Sequence, residues 1–162
     1  MSGVKVEINT EQLTTILNKA VQTLANPKAM FGEMGETLLE IHIIRFTQQQ
    51  APDGTPWQPL DSKKYNQDKI LTLHGDLRGT LRYQADNQGV VFGSDRPYAA
   101  IHQFGGTIKP QNNKMLKLGT GNNTSYARST IIPARPWLGL SADNEQRLIE
   151  IARNHLENVF NA

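Results

Sequence analysis

Between Lys28 and Gln48 the apolar side chains occupy an arc too wide for a helix that covers a core on one side only. Phe31, Met34, Leu38, Ile41 and Arg45 share one stripe at helical spacing, and Leu39, Ile43 and Phe46 form an adjacent one. A helix of this kind is buried on two sides, and whatever else the chain folds into has to supply both covers. Gly32 and Gly35 weaken its first turns, each by about 1 kcal/mol relative to alanine. Packing against another helix or another subunit is therefore expected to hold that end.

The neighbouring segments offer candidates. Val4, Val6 and Ile8 alternate with Lys5 and Glu7, the two-residue period of a half-buried strand. Asn9 and Thr10 are N-cap residues, Gln12 stands where a capping-box partner would, and Leu13, Ile16, Leu17, Ala20, Val21 and Leu24 predict a helix from about Thr10 to Leu24. Asn26-Pro27 ends it, because proline keeps the residue before it out of the helical region.

After Gln48 the helical pattern fails. Residues 49–69 carry Ala51-Pro52-Asp53-Gly54-Thr55-Pro56-Trp57-Gln58-Pro59 and then the polar run from Asp61 to Lys69, which predicts a long loop. Leu81, Tyr83 and Ala85 alternate, Asp86 to Gly89 supplies a turn, and Val90-Val91-Phe92 resumes, so a hairpin is expected. Pro97 can open a short helix with Tyr98, Ile101 and His102 on one face, ended by Gly105-Gly106. Thr107-Ile108 returns to strand. Residues 110–129 form a polar segment with little apolar content, read as an extended arm or hairpin. A Pro-punctuated stretch from Ile131 to Leu140 leads to Ser141, which caps a last helix bearing Leu148, Ile151, Ala152, His155, Leu156 and Val159.

With 162 residues the expectation is a single domain spanning 1–162. Hydrophobic residues make up 38%, a low share for a self-contained globule, so some buried surface is expected to come from neighbours. The net charge of +2 gives no concentrated basic stripe, and nucleic-acid binding is disfavoured. Cysteine is absent, which removes disulfides and thiolate metal sites. Met1 to Glu11 lacks an apolar export core and no later stretch reaches membrane-spanning length, so a soluble protein that is not exported is expected.

Candidate chemistry is sparse. His42, His74, His102 and His155 show no metal-ligand spacing, and neither a metal nor a cofactor is expected. Asp53 with Asp61 or Asp76 could be drawn as a carboxylate pair for acid-base chemistry or a hard-metal site, and His102 with an aspartate as the centre of a small hydrolase. The simpler reading is an imidazole bonded to backbone and aspartates that serve turns. His74-Gly75-Asp76 reads as a tight turn followed by helix capping. Trp57 and Trp137 read as plugs at the core edge, with subunit anchoring as the alternative. Arg78, Arg82, Tyr83, Arg96 and Tyr98 could line a nucleic-acid path, the basis of the rival reading as a nucleic-acid-binding accessory protein.

Four segments carry a more specific signal: Pro52-Asp53-Gly54-Thr55-Pro56-Trp57, Leu71-Thr72-Leu73-His74-Gly75-Asp76-Leu77-Arg78, Tyr98-Ala99-Ala100-Ile101-His102-Gln103-Phe104-Gly105-Gly106, and Ile132-Pro133-Ala134-Arg135-Pro136-Trp137-Leu138-Gly139. In these segments, in this order, the chain resembles the phage virion morphogenesis family, to which the tail-completion proteins of contractile-tailed phages and the G proteins of Mu-like prophages belong. Thr72 and His74 around Leu73, and the Asn112 to Thr124 arm, depart from its pattern.

The resemblance implies an α+β fold, helices packed on a small antiparallel sheet with a long loop and an extended arm, in the manner of head-tail joining proteins. It implies a structural, non-enzymatic role in tail completion, within the virion and assembled in the host bacterial cytoplasm. The implied partners are other tail, neck or head proteins and further copies of the chain, in a homo-oligomer that could close as a ring. Asp53, Gly54, Trp57, Gly75, Leu77, Arg78, Tyr98, His102, Gln103, Phe104, Gly105, Arg135, Pro136 and Trp137 are the candidate interaction residues it singles out. The Asp53 to Lys69 loop and the Lys109 to Ser129 arm are expected to order on a neighbouring subunit.

Overall fold

The computed structural model describes residues 10–60, 69–72, 75–112, 114–119 and 124–160. The expected opening strand at Val4 to Ile8, the Asn9 cap, most of the Asp61 to Lys69 run and His74 lie outside the described residues.

Helix α1 (Thr10–Ala25) ends at Asn26-Pro27, and α2 (Lys28–Gln48) starts immediately after with Pro27 at its N-cap. Both covers of α2 are identifiable. On one side lies the C-terminal helix α5 (Ala142–Phe160), on the other the antiparallel hairpin β1 (Leu81–Ala85) and β2 (Val90–Ser94). Helix α1 packs on α5, not on the glycine-containing end of α2. That end has its own explanation: Tyr83 lies flat on Gly35, where a Cβ would come within 2.2 Å of Tyr83 Cδ2. The glycine that weakens the helix locally is thus what lets the hairpin approach it.

Leu81, Tyr83 and Ala85 face inward with Phe92 and Val90 opposite them. At the turn, Asp86 Oδ1 accepts the backbone N–H groups of Gln88 (2.7 Å) and Gly89 (3.0 Å), the side-chain mimic of a backbone turn. The short helices α3 (Asp76–Gly79) and α4 (Ala99–Phe104) flank this hairpin in sequence. Asp76 does not cap α3; Gly75 holds the N-cap position in the left-handed conformation, φ 71°, and Asp76 is the first helical residue.

Among the described residues the strands form three two-stranded antiparallel ribbons. Besides β1–β2, strand β3 (Gly106–Ile108) pairs with β6 (Thr130–Ile132), and β4 (Leu116–Leu118) with β5 (Ser125–Ala127). Along the chain β4 and β5 lie between β3 and β6, so two nested antiparallel ribbons stand where the arm from Lys109 to Ser129 was expected. The fold is α+β, helices with small antiparallel ribbons of two strands each, of which β1–β2 packs on α2.

The core is Phe46, Ala51, Trp57, Ile70, Leu77, Leu81, Ala99 and Trp137, with Leu39, Leu60, Leu71, Phe92 and Leu138 against it. Phe46 is fully buried, edge-on to Trp57 (centroids 5.4 Å apart, 77°) and 6.3 Å from Trp137, within the range where aromatic rings attract.

Candidate functional site

The first half of the predicted loop is a built turn. Gly54 N–H donates to Ala51 O (3.0 Å), Ala51 N–H to Thr55 O (2.8 Å) and Trp57 N–H to Gln49 O (2.8 Å), so proline, aspartate and glycine fill the turn positions that suit them. Asp53 Oδ1 accepts Thr55 N–H at 2.9 Å, which holds this exposed carboxyl below the usual carboxylate range. Gln49, in left-handed conformation at the end of α2, clamps the far side of the loop. Its amide oxygen accepts Ile70 N–H and its amide nitrogen donates to Ile70 O, at 2.5 and 3.2 Å. Residues 49–60 thus order on their own chain, contrary to the expectation that this part of the loop waits for a neighbour.

Pro133 to Gly139 has no strand partner among the described residues, yet its polar backbone groups are met one after another, mostly by side chains. Gln103 Oε1 accepts the N–H groups of Trp137 (2.9 Å) and Leu138 (2.8 Å), while its Nε2 donates to Leu138 O (2.9 Å). Arg45 donates to Trp137 O (3.0 Å) and Gly139 O (2.8 Å), and Trp57 Nε1 to Pro136 O (2.9 Å). Arg135 N–H meets His102 O at 2.8 Å, and Arg135 Nε donates to Gln58 O at 3.0 Å. Trp137 Nε1 in turn donates to Ala99 O (3.1 Å). Trp57 and Gln103, from two of the segments singled out in the sequence, together with Arg45, do for the fourth what a neighbouring strand would do.

This places the candidate residues. Trp57 and Trp137, 4% and 2% exposed, are core residues, as are Leu77 and the buried Arg135. Gln103 is the clamp. Gly105 ends α4 at φ 69°, and a Cβ there would lie 2.7 Å from Ala134 N, so only glycine lets the seam pass this close. His102 is half-buried with Tyr98 edge-on at 5.9 Å, and burial, then Arg135, lowers its pKa. Its backbone groups are bonded, but its ring Nδ1 is buried with no hydrogen-bond partner among the described residues, which corrects the expectation that both ring nitrogens bond to backbone. No hydrogen bond or ion pair described for His102 links it to Asp53 or Asp76. Among the described residues no three of His, Asp and Glu gather closely enough to hold a metal ion. Of the basic-aromatic set, Arg82 pairs with Asp95 and Tyr83 donates to Glu36 (2.7 Å), both at the surface. Asp53, Gly54, Arg78, Tyr98 and Phe104 stay at the surface.

Two buried polar residues, His42 and Arg45, were not singled out as site residues in the sequence. His42, 1% exposed, has Nδ1 2.7 Å from Leu38 O, its Nε2 accepts Gly139 N–H at 3.4 Å, and its ring lies 4.4 Å from Phe92. Burial is the main cause that brings its pKa down to about 4, so it is neutral. Arg45 is buried without a described carboxylate partner; two carbonyls and Asn144 Oδ1 (3.2 Å) receive its charge, and burial lowers its pKa. Asn144 also forms a reciprocal cap with Ser141, which starts α5 where predicted.

Between the 51–53 turn and the start of α5 runs an open trough of about 600 Å³. Ala51, Pro52, Pro136, Leu140 and Ala142 give it an apolar lining, and Asp53, Asp143 and Ser141 are polar. A smaller cavity of about 160 Å³ adjoins it at Ala51, Pro52 and Ser141. The cations there are engaged, Arg45 with the seam and Arg147 with Glu40 at 2.7 Å. Several large apolar side chains face outward, foremost Phe104 (78% exposed) and Ile131 (77%), along with Met115 and Tyr126 of the arm and Leu17, Val21 and Leu24 on α1.

These residues build a cross-braced scaffold that carries an exposed arm and an open trough. The sequence profile of the phage virion morphogenesis family matches residues 8–157, and the chain belongs to that family. It is 29% identical to a putative capsid assembly protein G of Escherichia phage Mu over 83% of this chain and 82% of that protein. A Mu-like prophage G protein of Haemophilus influenzae is 28% identical over 95% of this chain and 96% of its own length. The tail completion protein S of Escherichia phage P2 is 27% identical over 80% and 84%. No solved structure matches the chain. Its role lies in phage virion morphogenesis.

Proposed function

We propose that the protein completes the phage tail and joins it to the head, without catalysis, by associating with copies of itself and with other virion proteins. The observation that carries this reading is the division of labour within the four sequence segments. Trp57, Leu77, Gln103, Gly105, Arg135 and Trp137 are used inside the scaffold, which leaves Phe104, Ile131, the arm and the rim of the trough to meet partners. Apolar side chains this exposed are typical of contact surfaces when they cluster. The names of the relatives, capsid assembly in phage Mu and tail completion in phage P2, support the same reading.

Of the candidate interaction residues, Asp53, Tyr98 and Phe104 are those expected to touch partners; the buried ones act by holding the scaffold. The test is a phage or inducible prophage with this gene deleted. Its lysate should contain filled heads and separate tails by electron microscopy, and adding the purified protein should restore joined, infectious particles. Normal joining in the deletion strain, or a substrate turnover that a single His102 substitution abolishes, would overturn the proposal.

A further inference from the structure

The arm and the trough are complementary. Between Asp95 and Asp143 the chain has no acidic residue, while Lys109, Lys114, Lys117 and Arg128 lie along the arm. The β4–β5 ribbon makes at most marginal contact with the other described helices and strands. Two paired strands of three residues are too little to be stable alone in water, so such a ribbon needs a surface to lie on. One of its faces pairs Lys117 with Tyr126 in register, both exposed, next to exposed Lys114 and Met115.

The trough offers the opposite features. Its floor is apolar, its carboxylates are Asp53 and Asp143, and its walls are preformed. Pro52 is held against Gly139, where a Cβ would come within 2.8 Å of Pro52 Cγ, and Pro136 is tied to the Trp57 indole. A preformed site binds without the cost of being ordered first. One protein that carries a donor element and its acceptor at separate places forms head-to-tail contacts between copies.

From this, and resting on the self-association proposed above, we infer that the arm of one copy seats in the trough of the next, with Tyr126 and Met115 on the apolar floor and Lys114 and Lys117 facing Asp53 and Asp143. The occupant is a second copy of this chain. Nucleic acid fits less well, because the acceptor surface is acidic.

Charge exchange tests it. Lys114→Glu/Lys117→Glu and Asp53→Lys/Asp143→Lys each place like charges in the contact. In sedimentation at low salt, each alone should self-associate at least about tenfold more weakly than the unaltered chain. An equimolar mixture should recover association, since every arm then meets an opposite trough. Asp53→Asn/Asp143→Asn, which keeps the turn hydrogen bond to Thr55 N–H and leaves the Ser141–Asn144 cap untouched, serves if the lysine variant does not fold, and should also weaken association. The inference is overturned if the unaltered chain stays monomeric at every concentration, if the variants associate as it does, or if the mixture does not recover. It is likewise overturned if the arm variant loses duplex DNA binding while self-association is unchanged. Failure here leaves tail completion standing when the deletion phage still yields unjoined heads and tails; the arm's partner is then another virion protein.

Discussion

Arg45 shows how one side chain can stand in for a strand. Its planar fork reaches two carbonyls of the seam and the cap residue Asn144 together, a geometry that a lysine ammonium cannot copy. Arg45→Met should lower unfolding free energy by about 2–4 kcal/mol in urea titrations, because it leaves buried carbonyls unpaired, and Arg45→Lys should recover only part of it. His42 makes stability depend on pH. Its imidazole titrates near 6.5 when unfolded and about 4 when folded, so the folded state resists the proton. The contribution is fully present above pH 6.5 and is lost as pH falls through about 4, a change of about 3 kcal/mol in all. Chemical denaturation between pH 7 and 4 should show this slope, and His42→Phe should flatten it.

Among the elements, the hairpin against α2 carries the sharpest expectation. Gly35→Ala should gain about 1 kcal/mol of helix propensity and still destabilise the protein by about 2 kcal/mol net, since Tyr83 must be displaced. In a Tyr83→Ala background the same change should be neutral or better, which a double-mutant cycle in urea would register. Most elements were legible in the sequence because their signals are local. The proline between α1 and α2, the turn at Asp86, the glycine stop after α4 and the serine cap of α5 all act within a few residues. The two tryptophans were read as core plugs, and they are. What could not be read were the partners of Gln103, Arg45 and Trp57, which lie 35, 94 and 79 residues away along the chain. No periodicity encodes them. The trough was hidden for the same reason, since residues 51–53 and 136–143 meet only after folding.

At the scale of the whole molecule the scaffold and the arm are separable. Because the β4–β5 ribbon contributes little to the described packing, deleting Asn112 to Asn123 should shift the thermal midpoint by no more than about 3 °C, measured by circular dichroism. The same deletion should abolish complementation of the gene-deletion phage. An unaltered fold with full complementation would remove the arm from the assembly surface.

The seam from Pro133 to Gly139 also sets an order of events during synthesis. Its contacts reach back to Arg45, Trp57 and Gln103, so closure waits until this late stretch has left the ribosome. Until then Phe46 and Trp57 lack the Trp137 ring that covers them in the finished protein. A chain that ends before the seam leaves those rings uncovered, and only one that includes Trp137 hides them.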